Sequence, residues 1–255
     1  MLNIPAIGTL IYLLLGGVVA GILSSAASFA SLASYPVLLS VGVAPVYANV
    51  TNDAALIWNS IGAVFASGKE LRGQWKRVGL YAIFTIIGSV IGCFLLLAFP
   101  GKVFERVVPF FILIAGVMIL ISGKYQPHPG VKKPVWQKII YIFLLVIAGA
   151  YAGYFGAASG IVILVLLTYL TDEDFLVSNA IKNAICGLTN LVALIIYSFA
   201  SRIYWFDAIP MAVGMFIGGY LGPIVLRHIP VKLMRWLIAL LALIQALIYM
   251  KQAYW

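Results

Sequence analysis

The 255-residue chain is 64% hydrophobic and only 9% charged, with a formal net charge of +9 at pH 7. A soluble domain of this length does not need so much apolar surface, so the composition predicts an all-helical polytopic membrane protein. The basic residues lie mostly in short connections between apolar runs, which indicates membrane topology and argues against nucleic acid as a partner.

Ten apolar segments follow one another along the chain. Because one crossing takes about 20 residues, the chain has room for about eight to ten crossings. The segments are predicted at residues 5–24, 29–42, 45–67, 78–98, 104–122, 138–155, 161–170, 175–200, 208–226 and 231–250. The longest connection divides the chain almost in half. The predicted regions are a first transmembrane repeat at 1–122, a basic Pro/Gly-rich cytoplasmic linker at 123–137 and a second transmembrane repeat at 138–255.

The two halves resemble each other in sequence. Five pairs stand 130 positions apart: Trp75 and Trp205, Gly88 and Gly218, Gly92 and Gly222, Pro100 and Pro230, Lys102 and Lys232. Further pairs follow at nearly the same spacing: Asn52 and Asn183 at 131, Asn59 and Asn190 at 131, Gly21 and Gly153 at 132. Self-similarity at a nearly fixed spacing indicates an internal repeat.

Each half has five apolar segments, an odd number, so the second half is expected to insert upside down relative to the first. With the N-terminus outside, eleven Lys and Arg residues fall in cytoplasmic connections and four in outer ones, as the positive-inside rule requires. Both termini are then outside, and the expected location is the inner membrane of a bacterial cell. Inverted repeats are typical of secondary transporters that hold their substrate near the bilayer midplane.

A cluster of small residues precedes the short second segment of each half. The clusters are SSAASFAS at Ser24–Ser31 and GAASG at Gly156–Gly160. The segment at 161–170 would span only about 15 Å as a helix, half of the hydrocarbon core. The pattern therefore predicts a broken or re-entrant helix near the midplane in each half. The residues expected at the breaks are Ser24, Ser25, Ser28, Gly156 and Gly160.

Four asparagines lie inside predicted membrane segments. Asn52 and Asn59 are seven residues apart and share a helical face, as do Asn183 and Asn190. If the helix of the first pair begins near Pro45, a favoured first helical residue, the four amides bracket the midplane. Amides offer donors that suit a small polar anion. Hydrogen bonding between neighbouring helices is the alternative.

Three further residues in these segments are candidates for function. Lys182 is a buried cation that suits an anionic substrate, although an ion pair with Asp53 or snorkelling toward the TDED loop would also explain it. Asp53 is a candidate for that ion pair or for proton coupling. Cys186 lies on the face of Asn183 and Asn190, where it either contacts substrate or packs as a small hydrophobe.

The motifs resemble those of the TauE/SafE family of membrane transporters, also known as sulfite or sulfonate exporters. The matching stretches are YPVLL at Tyr35–Leu39, ANVTN at Ala48–Asn52, AIKNA at Ala180–Ala184, and a Trp before GSVIG in the first half and GGYLG in the second. The resemblance covers nearly the whole chain and implies a carrier of sulfite, sulfoacetate or related organosulfonates. The family's glycine-rich break is SSAAS and GAASG here, and Asn52 and Asn183 replace the serine of its Thr-Ser pair.

The resulting hypothesis is a secondary transporter of small sulfur-containing anions, with export favoured, that uses alternating access at a midplane site. An importer or carrier of another small anion or metabolite, such as thiosulfate or a carboxylate, is the first alternative. A membrane enzyme or assembly scaffold is the second, disfavoured because no nucleophile–base set or metal-ligand cluster is seen. The expected partners are the substrate and the lipid bilayer, with no cofactor, and a homo-oligomer is left open.

Overall fold

A computed structural model describes residues 7–98, 102–121, 134–154, 156, 158–200 and 202–254. Over these ranges the chain is all-helical, with ten helices and no strand, as the composition predicts. The helices are α1 (Ile7–Ala27), α2 (Ala30–Ser40), α3 (Pro45–Ala66), α4 (Trp75–Ala98), α5 (Lys102–Ile121), α6 (Val135–Tyr154), α7 (Ser159–Thr171), α8 (Phe175–Ala200), α9 (Trp205–His228) and α10 (Val231–Tyr254). Six of them, α1, α4, α6, α8, α9 and α10, are long and apolar enough to cross a membrane.

Two helix boundaries bear on the predictions made from the sequence. Helix α3 begins at Pro45, where the fixed φ of proline suits a first helical residue. Helix α6 begins at Val135, inside the last residues of the predicted linker. The rest of that linker, up to residue 133, lies outside the described residues.

Both clusters of small residues interrupt the helical path. Between α1 and α2, Ser28 has a φ of +66°. Between α6 and α7, Gly156 has a φ of +75° and Ala158 a φ of +57°. Left-handed backbone cannot continue a right-handed helix, so each half contains a long helix followed by a short one of 11 or 13 residues. Ser24 and Ser25 fall in the last turn of α1, and Gly160 falls in the first turn of α7.

Glycines bring two pairs of helices into backbone contact. Helix α4 packs along α6, and α1 packs along α9. A Cβ atom at Gly88 or Gly92 would overlap the carbonyl oxygen of a residue on α6, and one at Gly214 or Gly218 would overlap a carbonyl on α1. These glycines therefore serve close helix packing.

The remaining helices complete the bundle around these two pairs. Helix α3 packs against α8 and α9, α4 also packs against α8, and α5 packs against α10. The largest buried cluster of apolar side chains lies where the α1–α2 break meets α5, α7 and α10. Many large apolar side chains point outward, for example Phe65, Ile7 and Phe199, which are 70%, 77% and 90% exposed. Such a surface suits lipid rather than water.

Polar contacts between the two halves close the bundle at both ends. At one end, Arg227 binds the carboxylate of Glu70 at 2.8 Å, and Arg77 pairs with Glu173 in the α7–α8 connection. At the other end, the backbone N–H of Tyr204 donates to Thr51 Oγ1 at 3.3 Å. The 67–74 segment therefore lies on the same side of the bundle as the end of α9 and the α7–α8 connection.

Candidate functional site

Side chains from two other helices converge on the end of α1. We call residues Ser24–Ser28 the α1 tip. The end of a helix leaves carbonyl oxygens without partners within the helix. Asn179 and Asn183 of α8 both donate through Nδ2 to the carbonyl oxygen of Ser25, at 2.9 and 3.0 Å. These bonds satisfy a carbonyl group that would otherwise be orphaned inside an apolar bundle.

A third amide reaches the α1 tip from α3. Asn59 Nδ2 lies 2.8 Å from Ser24 Oγ, and the side chain is only 3% exposed. The tip is thus held by α8 on one side and by α3 on the other. The amides of Asn59 and Asn183 therefore meet at the same turn of backbone. At the spacing of 131 positions, Asn59 pairs with Asn190 and Asn183 pairs with Asn52.

The ammonium group of Lys182 lies at this turn as well. The side chain is 1% exposed, and Nζ donates to Ser28 Oγ at 2.9 Å and to the carbonyl oxygen of Ser24 at 3.5 Å. An ammonium group has three N–H donors; the α1 tip engages two, and the third has no partner among the described residues. A positive charge at a helix C-terminus is also favourable, because the helix dipole is negative there.

The break of the second half meets the break of the first at Lys182. A Cβ atom at Gly160 would lie 2.6 Å from Ser28 Oγ and 3.5 Å from Lys182 Cδ, so only glycine allows this approach. Neither α2 nor α7 has a side chain that caps its N-terminus. Helix N-termini carry exposed N–H groups and partial positive charge. We call the place where Ser28, Gly160 and Lys182 meet the junction. It combines a buried cation with the N-terminal ends of α2 and α7, which favour anions.

The other predicted site residues lie apart from this junction. Asn52 is 5% exposed, and Asn190 is partly buried on α8; no bond links either one to the α1 tip in the described structure. Cys186 is partly buried one turn after Lys182 and close enough to interact with it electrostatically. Gly156 is exposed, and its carbonyl oxygen accepts a hydrogen bond from Ser159 Oγ at 2.8 Å.

Asp53 and Lys182 do not meet. Within the described ranges the ion pairs are Arg77 with Glu173 and Arg227 with Glu70, and neither contains Asp53 or Lys182. Asp53 is half-buried and lies near Tyr197 and Cys93. The two charges that the sequence placed inside the membrane segments are therefore held in separate environments.

Sequence reasoning missed two buried polar residues. Asn179 is 1% exposed and bonds to the α1 tip. Its position one helical turn before Asn183 was the signal that could have identified it. Gln245 on α10 is also 1% exposed and donates to Ser31 Oγ at 2.8 Å. In the described part of the chain, no three His, Cys, Asp or Glu side chains come together as a metal site would require.

The fold and the junction define a class of protein. Interrupted helices inside an all-helical membrane bundle, with buried polar and charged side chains at their breaks, are features of secondary membrane transporters. The model of the family described as Sulfite exporter TauE/SafE matches residues 13–249, so the chain belongs to that family. The resemblance seen in the sequence is confirmed.

Curated relatives agree with this class. The probable membrane transporter protein YfcA of Escherichia coli strain K12 is 22% identical over 232 residues, which cover 89% of this chain and 84% of the relative. A probable membrane transporter protein of Haemophilus influenzae is 22% identical, with 81% of this chain and 80% of the relative covered. One from Xylella fastidiosa is 24% identical, with the same coverage of 81% and 80%. The protein is a multi-pass membrane transporter of the TauE/SafE type.

Proposed function

We propose that the protein is a secondary transporter that exports small sulfur-containing anions, such as sulfite, sulfoacetate or other organosulfonates, across the inner membrane of a bacterial cell. The observation that carries this proposal is the buried ammonium group of Lys182 at the junction of the two helix breaks. Export is favoured because the family is described as sulfite exporters. Both termini would lie outside, because the distribution of Lys and Arg residues predicts that orientation.

The packing of the helices supports an inverted repeat. If α1 to α5 correspond to α6 to α10, the pairs α1–α9 and α6–α4 exchange under a two-fold axis. The pairs α3–α8 and α5–α10 each map onto themselves. Ser28 and Gly160 stand 132 positions apart, the spacing of Gly21 and Gly153, and they touch each other. Two residues related by a two-fold axis contact each other only where both lie close to that axis.

The junction offers the interactions that a partly dehydrated anion needs. The remaining N–H of Lys182 supplies a charge-assisted hydrogen bond. The N-termini of α2 and α7 supply partial positive charge. The contact between Gly160 and Ser28 leaves these groups closely packed, so we assign the structure to a closed conformation. Rocking of the halves about the axis would open the junction to one side at a time.

The test is substitution of Lys182 by methionine. Because hydrogen bonds to charged groups are worth about 1.5–3 kcal/mol, Lys182→Met should weaken binding of sulfite and sulfoacetate roughly 10- to 100-fold. Flux into proteoliposomes and calorimetric binding are the measurements. Lys232→Met is the matched control, since Lys232 is exposed at the start of α10, and it should transport like the unmodified protein.

Folding has to be checked separately, because Lys182 also stabilises the α1 tip. Thermal unfolding in detergent and elution as a single species would show that Lys182→Met is folded. A folded Lys182→Met variant that transports at the normal rate would contradict the site assignment. Failure of the unmodified protein to bind or move any sulfur oxyanion or sulfonate would contradict the proposed substrate class.

A further inference from the structure

The amide oxygen of Asn179 is a buried acceptor at the α1 tip. Three buried asparagine oxygens have no hydrogen-bond partner in the described structure, those of Asn52, Asn59 and Asn179. Asn59 Oδ1 abuts the backbone of α9, since a Cβ atom at Gly219 would lie 2.8 Å from it. The orientation of Asn179 is fixed: its Nδ2 must face Ser25, because a carbonyl oxygen can only accept.

Asn179 and Lys182 carry opposite hydrogen-bonding groups and reach neighbouring residues of the α1 tip. They are three residues apart on α8, so their side chains lie on one face of the helix. Both reach the α1 tip, Asn179 at Ser25 and Lys182 at Ser24 and Ser28. Lys182 can offer only donors and a positive charge, whereas the free oxygen of Asn179 can only accept.

We infer that this site takes a small anion that also carries an O–H or N–H donor of its own, with the anionic group at Lys182 and the donor directed at Asn179 Oδ1. The inference rests on the proposed function and narrows its substrate class. A ligand without a donor would leave a buried acceptor unpaired, which a site built for hydrogen bonding penalises strongly. The bound ligand would be neither a fully deprotonated oxyanion nor a simple alkylsulfonate. Of the anions proposed above, sulfite would bind in its monoprotonated form, and sulfoacetate, which has no O–H donor at neutral pH, would bind more weakly.

Two kinds of ligand share this chemistry. In a monoprotonated oxyanion such as hydrogen sulfite, one oxygen carries the negative charge and another group carries the proton. In a hydroxy- or aminoalkylsulfonate, the sulfonate carries the charge and the far end of the chain carries the donor. Both place one negative charge and one donor within a few bonds of each other.

The first experiment compares 2-hydroxyethanesulfonate with propane-1-sulfonate, in which a methyl group replaces the hydroxyl group. Calorimetry on the detergent-solubilised full chain should show tighter binding of the hydroxyl compound by about tenfold, the value of one buried hydrogen bond. The second experiment compares sulfite with methanesulfonate on either side of the acid dissociation of hydrogen sulfite. Methanesulfonate does not titrate there, so it corrects for effects of pH on the protein.

Asn179→Ala tests the assignment to this residue, and Asn183→Ala is its matched control. Both variants lose one bond to the carbonyl oxygen of Ser25. The oxygen of Asn179 is among the buried atoms without a partner, and that of Asn183 is not. Asn179→Ala should bring the ratio of affinities for the two larger sulfonates close to one, and it should remove the extra pH dependence of sulfite binding relative to methanesulfonate. Asn183→Ala should weaken both members of a pair and keep their ratio.

The outcomes separate the two proposals. Preference for the hydroxyl compound supports a donor on the carbon chain, and preference for sulfite only when it is protonated supports the monoprotonated oxyanion. This inference would be overturned, and the proposed function left intact, by either of two results. One is that the unmodified protein shows no preference within either ligand pair, and the other is that Asn179→Ala keeps the preference of the unmodified protein. No binding of any of the four ligands would overturn the proposed function itself. The ratio in the unmodified protein decides the matter even if a variant fails to fold.

Discussion

The two helix breaks share a backbone plan and differ in charge. At the α1 tip, carbonyl oxygens accept bonds from Asn179, Asn183 and the ammonium group of Lys182. At the end of α6, the carbonyl oxygen of Gly153 accepts a bond of 2.6 Å from Tyr197 Oη. The ionisable side chain near this break is an acid, because Asp53 lies close to Tyr197. One broken helix therefore ends beside a cation and the other beside an acid.

The sequence repeat shows where this difference arises. At a separation of 131 positions, Lys182 corresponds to Thr51 and Asp53 corresponds to Ala184. The glycines that join α1 to α9 and α4 to α6 recur in both halves, so the repeat preserves the scaffold. The charges do not recur. On the proposed repeat, glycines present in both halves provide the packing, and charges present in one half only provide two chemically distinct places inside the bundle.

The first prediction concerns the shared scaffold and should have the largest effect. Gly88→Ala would drive a Cβ atom into the carbonyl oxygen of Val146, and Gly218→Ala would do the same at Val18. Overpacking of this kind costs about 1–3 kcal/mol. Both variants should lower thermal stability to a similar extent, as measured by unfolding in detergent micelles.

A glycine on the same helix provides the control. Gly79 in α4 has no atom within 4 Å of an added Cβ, so Gly79→Ala should be neutral or slightly stabilising through helix propensity. If Gly88→Ala is destabilising and Gly218→Ala is as stable as Gly79→Ala, the α1–α9 and α4–α6 contacts are not equivalent. The two halves would then not share an equivalent, glycine-dependent helix contact.

The second prediction concerns the acid that has no counterpart in the other half. We propose that Asp53 couples transport to protons. An ionisable side chain inside a membrane segment is energetically costly, and such residues typically mark a functional site. Asp53→Asn should keep anion binding and exchange between equal solutions, but lose accumulation driven by a pH gradient. Radiolabelled sulfite exchange and uptake in proteoliposomes would measure the two activities.

A double-mutant cycle tests the alternative in which Asp53 and Lys182 act as a pair. Because no ion pair joins them in the structure, the effects of Asp53→Asn and Lys182→Met on stability should add. A large coupling between the two substitutions would show that they interact, and it would contradict the separation of the two charged environments.

The scaffold could be predicted from the sequence because its signals are local and repeated. Ten apolar segments, a helix break within Ser24–Ser31 and the close packing of Gly88 and Gly218 all follow from residue size, hydropathy and spacing. The family followed from motifs spread over the same segments, and the match to residues 13–249 agrees. These features need no knowledge of which helices are neighbours.

The candidate site was harder to predict because its partners are backbone atoms far away in the chain. The periodicity of α8 places Asn183 beside Lys182, but it does not reveal that both reach the α1 tip across 158 positions. Asn179 was overlooked for the same reason. Because Lys182 and Asp53 both lie inside predicted membrane segments, an ion pair was one interpretation of the sequence, whereas the structure gives Lys182 the hydroxyl group of Ser28 instead.

The two ends of the bundle also differ in charge, and the last prediction concerns that difference. One end is closed by Arg227 and Glu70, while the other is closed by the neutral bond between Tyr204 and Thr51. The hydrogen bond from Arg227 lowers the pKa of the Glu70 carboxyl group below its usual value, which is about 4.3 in unfolded peptides. Glu70→Gln should therefore lower thermal stability at neutral pH by less than about 1 kcal/mol, as expected of a partly exposed pair.

The pH dependence of this small effect identifies its cause. A carboxylate whose pKa is depressed in the folded state stabilises fully above the unfolded pKa, and that contribution is lost as the pH falls through the folded value. The difference in melting temperature between Glu70→Gln and the unmodified protein should thus shrink to zero in acid. A Glu70→Gln deficit that persists in acid would mean that the glutamate acts through its shape rather than its charge, and that the ends of the bundle do not differ electrostatically.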